Sequence, residues 1–181
     1  MDTLLKMQPK QSFIIVQWQK PELGTLKLNT NGSFNTRDMS AGVGGALTRD
    51  NVDMIIAFSF PYSCINHNLA EAYAALFGMT WCIQNGHTSF TLEMDSCLVV
   101  EMLQGEKETN YMMANVTEKI ARMRSKANIH VNHYCREANQ LAEYLAKLAN
   151  KAHNGVFFFS SQQLPKAVKG PFLWDKIKFR V

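Results

Sequence analysis

The sequence has few cysteines, no long apolar run and little excess charge of either sign. Its four cysteines lie far apart and form no CxxC pair, so neither a disulfide framework nor a tight thiolate metal site is expected. No apolar stretch approaches the roughly 18–20 residues that span a bilayer. Lys6 and Lys10 interrupt the N-terminal apolar segment, so no secretory leader is expected either. These absences predict a soluble intracellular protein of the cytoplasm or nucleus, with reduced and buried cysteines.

Apolar residues, by contrast, make up 46% of the 181-residue chain, which is enough for one domain with a full core. The net charge of +4 permits a nucleic-acid partner without requiring one. This charge is uneven, because residues 151–181 carry a net charge of +5 and residues 1–150 a net charge of −1. We expect an N-terminal arm over residues 1–24, a folded domain over residues 25–153, and a basic, aromatic C-terminal extension over residues 154–181.

The pattern of apolar residues predicts an α/β fold. Three strands come first, over LKLNTNGS, GVGGALTRD and VDMIIAFSF, with a turn at Asp50 and Asn51 between the last two. The helical segment NHNLAEAYAALFGMTWCIQNG follows, in which Asn68 and Glu71 have capping-box spacing. SFTLEMD and NIHVNHY read as further strands, and SCLVVEMLQG, YMMANVTEKIARMRSK and EANQLAEYLAKLAN as helices. The order β-β-β-α-β-α-α-β-α predicts a mixed sheet with helices on both faces.

Four polar residues fall near the ends of these elements: Asn31, Glu71, Asp95 and Glu143. Carboxylates that meet at one edge of a sheet repel one another unless a cation compensates. Mg²⁺ prefers hard oxygen ligands, and two ions about 3.5–4 Å apart can activate water and stabilise the leaving oxygen in phosphodiester hydrolysis. Acids at element ends are also typical of solvated or capping residues, so spacing alone leaves both interpretations open.

The sequence motifs around these residues resemble those of a known protein family. KLNTNGS, GVGGAL, NLAEAYAAL, LEMDSCLVVEML and HYCREANQLAEYLAKLA, in this order, resemble the ribonuclease H domain, in particular the retroelement-derived, reverse-transcriptase-like branch abundant in plants. The lead-in WQKPELG and the tail segment LPKAVKGPFLWDK are also similar to that branch, and the main resemblance covers about residues 18–150. It implies a ribonuclease H-like fold with a five-stranded mixed sheet whose first three strands are antiparallel. It also implies cleavage of the RNA strand of RNA–DNA hybrids by four acids that hold two Mg²⁺ ions, with Mn²⁺ as the substitute.

On this resemblance, two of the four catalytic and metal-binding positions match in residue type and two do not. Glu71 and Asp95 match. Asn31 stands where the family's DGS motif has the aspartate that bridges both ions, and Glu143 stands where its last motif has aspartate. Asn31 lacks the charge that bridging needs, so we expect weakened metal binding and severely reduced or absent cleavage. Glu143 is the milder change because it stays anionic.

Asn31 has three interpretations. It is the natural mark of a degenerate enzyme kept for binding, a change introduced to trap a substrate complex, or simply a turn residue before Gly32. The last is disfavoured because Gly32 and Ser33 keep the rest of the motif. Glu143 favours natural divergence over an introduced change.

The resemblance also implies contacts with nucleic acid. Asn68 falls where the family places a minor-groove contact, although a helix N-cap is an equal alternative. Backbone amides of Gly32 and Ser33 can meet phosphate, because small residues allow close approach. Arg136 lies in a loop where relatives carry a mobile histidine, and either contacts phosphate or faces solvent. Asn139 is expected to brace that loop.

Two functions from different classes remain open. The first is a metal-dependent endonuclease acting on RNA–DNA hybrids; the second is a non-catalytic module that binds nucleic acid or a protein partner. A zinc site at Cys64 and His67, or at His130, His133 and Cys135, fits no four-ligand spacing. The tail aromatics are expected to pack on the domain, with base stacking as the alternative; they are Phe157, Phe158, Phe159, Phe172 and Trp174. No membrane partner is expected.

Overall fold

The computed structural model describes residues 18–170, which form a mixed sheet flanked by helices. The strands are β1 (Leu26–Phe34), β2 (Ala41–Arg49), β3 (Met54–Tyr62), β4 (Ser89–Met94), β5 (Asn128–His133) and β6 (Val156–Phe158). The helices are α1 (His67–Gln84), α2 (Cys97–Gln104), α3 (Ala114–Arg124) and α4 (Gln140–Ala149), with a 3-10 turn, Arg136–Ala138, just before α4. Within residues 18–170, no helix combines the length and the apolar character needed to cross a membrane.

The six strands lie in the order β5-β4-β1-β2-β3-β6. β1, β2 and β3 form an antiparallel meander, and β4 and β5 join in parallel on the other side of β1. The predicted α/β class and mixed sheet are confirmed, with one strand more than the five expected. The additional strand, β6, pairs antiparallel with Ala57–Ser59 of β3 and so covers an edge that would otherwise have unpaired backbone groups.

Close approaches at two glycines place α1 and α4 on opposite faces of the sheet. A Cβ added to Gly32 in β1 would lie 2.0 Å from the backbone carbon of Ala70 in α1. A Cβ added to Gly44 in β2 would lie 2.2 Å from the backbone nitrogen of Ala146 in α4. Gly44 is the cross-strand neighbour of Asn31, and consecutive residues of a strand point to opposite faces. Therefore α1 covers the Gly32 face, and α4 covers the Asn31 face.

The larger core lies between the sheet and α1, and a smaller one lies under α4. α2 and α3 pack against α1 and complete the larger core. Its fully buried side chains include Leu28, Leu47, Ile56, Phe58, Met79 and Leu92. The smaller cluster combines Leu141 and Leu145 of α4 with Phe158 of β6. Both cores fix the sheet rigidly between two helical layers, so the residues at the strand ends are held by well-packed elements.

Beside the small core, polar and charged side chains of β1 and β4 together with Trp18, which precedes β1, form what we call the paired network: Trp18, Lys27, Asn29 and Glu93. Nζ of Lys27 lies 2.7 Å from Oε1 of Glu93, and both side chains are buried. Nδ2 of Asn29 donates to Oε2 of Glu93 at 3.0 Å, and Nε1 of Trp18 donates to Oδ1 of Asn29 at 3.0 Å. Lys27 also donates to the carbonyl of Gln19 and lies against the Trp18 ring. Each buried charge of the paired network therefore has a charged partner and further contacts.

Two local predictions are wrong. α1 begins at His67, and its N-cap is Asn66, whose side chain accepts from the backbone N–H of Leu69; Asn68 is therefore not the cap. Glu71 consequently lies beyond the first helical turn and takes no part in a capping box. The cysteines are free, but only Cys82 is buried, while Cys97 and Cys135 are exposed.

The described part of the C-terminal extension contacts the sheet. The ring of Phe157 lies 4.8 Å from that of Phe60, centroid to centroid, and Phe158 is buried. Phe159, in contrast, is 60% exposed. Phe172 and Trp174 lie outside the described residues. Pairing of β6 with β3 directs Phe157 and Phe158 to opposite faces of the sheet, because adjacent strand residues face opposite sides, whereas Phe159 lies beyond β6.

Candidate active site

Asn31 and Asp95 lie at the same end of the neighbouring strands β1 and β4. The parallel pairing of these strands joins Lys27–Asn29 to Thr91–Glu93 and stops there. Asn31 is two residues beyond that pairing, and Asp95 is the first residue after β4. Nδ2 of Asn31 donates to Oδ1 of Asp95 at 2.9 Å. The Asn31 amide therefore donates a hydrogen bond to one carboxylate oxygen of Asp95, and its N–H group, not its oxygen, faces Asp95.

Glu71 reaches this end of the sheet from α1. The helix can bring it there because Gly32 has no side chain: a Cβ at Gly32 would lie 2.2 Å from the backbone nitrogen of Glu71. The strand residue that follows Asn31 therefore sets the distance between helix and sheet. Gly32 has a packing role that positions the acid, and its buried backbone lies against α1.

The Glu71 carboxylate is fully buried, and neither of its oxygens accepts a hydrogen bond from the described residues. Burial first, and the negative charge of Asp95 second, raise the pKa of Glu71 well above its ordinary value of 4.5. The nearby N–H of Gly32 and the guanidinium of Arg136 oppose this shift in pKa only in part. Nε2 of His67 lies 3.4 Å from Oε1. A buried carboxylate without hydrogen bonds is costly, so this group needs a proton or a cation.

Asp95 is less enclosed. Burial raises the pKa of its carboxyl, whereas the hydrogen bond from Asn31 and the charge of Arg136 lower it in part. The negative charge of Asp95 is one of the causes that raise the pKa of Glu71, so the two carboxylates lie near enough to interact electrostatically. This pairing is the acidic part of the predicted site.

Glu143 is held differently. Its Oε1 accepts from both Nε and Nη2 of Arg136, the first at 2.9 Å, and from Nζ of Lys147 at 2.7 Å. Partial burial would raise the pKa of Glu143, but the hydrogen bonds from Arg136 and Lys147 outweigh it and lower the pKa. Two protein cations already compensate the fourth predicted ligand. We call Asn31, Glu71, Asp95 and Glu143 together the acidic site.

Glu71 and Asp95 of the acidic site suit a divalent cation, whereas Asn31 as it is oriented does not. Glu71 offers two buried, unpartnered oxygens beside Asp95, which is the donor set that Mg²⁺ prefers. For Asn31 to coordinate an ion together with Asp95, its amide would have to turn over, because Nδ2 faces Asp95. Over residues 18–170, no three acidic, histidine or cysteine side chains come close enough together to share a metal ion.

The residues predicted to contact nucleic acid have different surroundings. Arg136 is exposed, whereas Asn139 is buried and donates from Nδ2 to the Thr30 carbonyl at 2.9 Å, which ties the start of α4 to β1. Ser33 accepts from Nδ2 of Asn150 at 2.9 Å and is half-buried, as is Asn68. Contact with nucleic acid remains a prediction for all of these residues and for Gly32.

Sequence reasoning missed two members of the site, His67 and Lys147. Both lie four residues from an acid of the site, His67 before Glu71 and Lys147 after Glu143. That spacing places side chains on the same face of a helix and was the available signal. Of the residues weighed for zinc, His130, His133 and Cys135 are exposed, and none joins a metal-binding group within the described range.

Comparison with known families gives one match. The model of the family described as reverse transcriptase-like matches residues 29–149, more than half of the chain. The matched segment begins in β1 and ends with α4, so it contains every residue of the acidic site. No curated protein sequence matches the chain.

Several solved structures share the fold. RNase H1 from the halophilic archaeon Halobacterium salinarum is 21% identical, with a TM-score of 0.66 over 70% of this chain and 97% of that one. The N-terminal RNase H domain of a Mycobacterium tuberculosis protein, solved as a fusion with maltose-binding protein, is 22% identical, with a TM-score of 0.65 over 70% of this chain and 93% of that one. LC11-RNase H1, solved with an RNA/DNA hybrid, is 23% identical, with a TM-score of 0.64 over 69% of this chain and 96% of that one.

Proposed function

Because the chain belongs to the reverse transcriptase-like family of ribonuclease H-like domains, we propose that it binds RNA–DNA hybrids and has lost most or all hybrid cleavage. The position of Asn31 carries this proposal. Its amide donates to Asp95, whereas two-metal hydrolysis on this fold calls for an anionic oxygen there. One structure of the same fold, LC11-RNase H1, was solved in complex with an RNA/DNA hybrid.

Glu71 and Asp95 are the residues that would hold a Mg²⁺ or Mn²⁺ ion. When bound, such an ion activates a water and stabilises charge on a phosphodiester. Glu71 supplies two buried oxygens, and Asp95 supplies the oxygen that Asn31 leaves free. Glu143 contributes to the negative charge of the site while Arg136 and Lys147 hold it. Asn31 adds no charge, so we expect metal binding weaker than four carboxylates would give.

The exposed guanidinium of Arg136 is the group best placed to meet a phosphate. Its Nε and Nη2 donate to Glu143, so the N–H groups of Nη1 and the second N–H of Nη2 are the donors that remain for a phosphate oxygen. The backbone N–H groups of Gly32 and Ser33 and the half-buried side chain of Asn68 lie on the two elements that flank the acidic site, β1 and α1, and are proposed as further contacts. Binding through these groups does not depend on a bridging metal ion.

The alternative is a module that keeps only the fold and binds a protein partner. An open groove of about 430 Å³ between β3, β6 and α1 favours it, because aromatic rings line most of the groove. Its aromatic residues are Phe60, Tyr62, Tyr73, Phe77, Trp81 and Phe157.

A binding and cleavage experiment separates these functions. Fluorescence anisotropy with a labelled RNA–DNA hybrid in EDTA measures binding, and gel analysis after addition of Mg²⁺ or Mn²⁺ measures cleavage. We expect binding without cleavage by the natural chain, and a gain of metal-dependent cleavage in Asn31→Asp. Absence of hybrid binding would favour the protein-binding module. Binding with an inert Asn31→Asp variant would show that Glu143 or another contact is also defective.

A further inference from the structure

Arg136 and Lys147 lie where a metal ion would be needed to neutralise Glu143. Three N–H donors from these two side chains converge on the single oxygen Oε1 of Glu143. The Glu143 side chain is only 14% exposed, so little water remains to replace these donors. A divalent ion that used Oε1 of Glu143 would therefore have to displace at least one of them.

The charge balance of the acidic site also disfavours a second metal ion at Glu143. The acidic site holds the formal charge of three carboxylates, and Arg136 and Lys147 already compensate two of these charges. One net negative charge remains, which suits one divalent ion better than two. The unpartnered oxygens of Glu71, buried beside Asp95, mark where that ion would sit.

We propose that Arg136 is the resident counter-ion of Glu143 and limits the acidic site to a divalent ion held by Glu71 and Asp95. Arg136 forms two of the three hydrogen bonds to Oε1, which makes it the larger obstacle to metal coordination by Glu143. This inference rests on the metal site of the proposed function, but it does not require hybrid binding or cleavage.

The test is a Mn²⁺ titration of the full 181-residue chain without nucleic acid, at about 0.15 M salt, where long-range charge effects are screened. The free ion is followed by electron paramagnetic resonance. We expect Arg136→Gln to bind Mn²⁺ about fivefold or more tightly than the natural chain, because Glu143 becomes available to the ion. Arg122→Gln is the matched control: it removes the same charge from an exposed pair with Glu118, and its effect should stay below about twofold.

A double-mutant cycle identifies the carboxylate that Arg136 blocks. We expect the gain from Arg136→Gln to fall by at least half in a Glu143→Gln background. An equal gain in both backgrounds would overturn the proposal, because Arg136 would then act only through long-range charge. No gain in either background would overturn it as well. Thermal melts check that each variant is folded, and the hybrid-binding assay in EDTA tests the proposed function independently, so the two can fail separately.

Discussion

Two neighbouring regions of the β1–β4 strand pair solve the same electrostatic problem in opposite ways. Within the paired segment, the paired network buries Lys27 against Glu93, with Asn29 and Trp18 completing the hydrogen bonds. Past the end of the pairing, Glu71 is equally buried but has no hydrogen bond from the described residues. Both regions use carboxylates and amides on neighbouring strands. The paired network neutralises its buried carboxylate with a buried lysine, whereas the cations at the acidic site, Arg136 and Lys147, both contact Glu143.

This contrast separates stability from function. A buried carboxylate with a buried ammonium can be accounted for by the fold alone. A buried carboxylate that lacks such a partner costs free energy, and this cost is typical of a site built for a ligand. Arg136 makes the acidic site intermediate between the two cases, because it contacts and compensates Glu143 but opposes the raised pKa values of Glu71 and Asp95 only in part.

The largest expected effect comes from removing one member of the paired network. Lys27→Met leaves Glu93 buried without its ammonium partner, so we expect the free energy of unfolding to fall by about 3–5 kcal/mol. Urea denaturation measures this quantity. The double variant Lys27→Met, Glu93→Leu removes both charges and should recover most of the loss. A single variant as stable as the natural chain would show that the buried pair contributes nothing to stability.

A smaller effect of opposite sign is expected at the acidic site. Glu71→Gln removes the cost of keeping a buried carboxyl either charged or protonated at pH 7, so without metal the free energy of unfolding should rise by about 1–3 kcal/mol. Because the folded state raises the pKa of Glu71 above the ordinary 4.5, the folded chain binds the proton more tightly. The stability of the natural chain should therefore fall as pH rises from 4.5 through the raised pKa, and the Gln variant should lack this slope.

Denaturation in EDTA at several pH values checks the Glu71 prediction. Glu118→Gln, in an exposed ion pair on α3, is the control and should change stability by less than about 0.5 kcal/mol. Equal pH profiles for the natural chain and Glu71→Gln would contradict the assignment of an uncompensated buried charge.

The smallest effect on stability is expected from Asn31→Asp. This change replaces the N–H donor to Asp95 by a third carboxylate beside Asp95 and Glu71, so the metal-free variant should lose about 1 kcal/mol. Mn²⁺ should restore the loss, because an ion that binds only the folded state stabilises it. Melting temperatures with and without the ion measure both changes. A variant that Mn²⁺ does not stabilise would show that the charge at position 31 is insufficient to complete a metal site.

Much of the fold followed from local patterns. Apolar alternation predicted β1, small, β-branched and aromatic runs predicted β2 and β3, and helical spacing predicted α1; the remaining helices and strands were predicted as segments that alternate along the chain. The start of α1 did not follow, because Asn66 and Asn68 are equally good capping residues and only the backbone geometry chooses between them. The strand β6 is three residues long, and although Val and Phe favour strands, so short a run forms a strand here by pairing with the edge of β3.

The sequence motifs predicted which residues form the acidic site, but not how their charges are balanced. The order of the motifs along the chain grouped Asn31, Glu71, Asp95 and Glu143 as one candidate site. The hydrogen bond from Asn31 to Asp95 joins residues 64 positions apart, and Arg136 meets Glu143 only because the 3-10 turn leads directly into α4. Such partners depend on the path of the backbone between them, which residue patterns alone do not specify.

The close contact at Gly32 also bears on what a motif match means. Any larger residue there would collide with the backbone of α1, whether or not the neighbouring position 31 can bind a metal ion. Selection for a stable fold alone is enough to retain this glycine, with or without catalytic ability. A glycine in such a motif therefore indicates that the helix packs closely on the strand. Only the residue before it indicates whether the site can bind a metal ion.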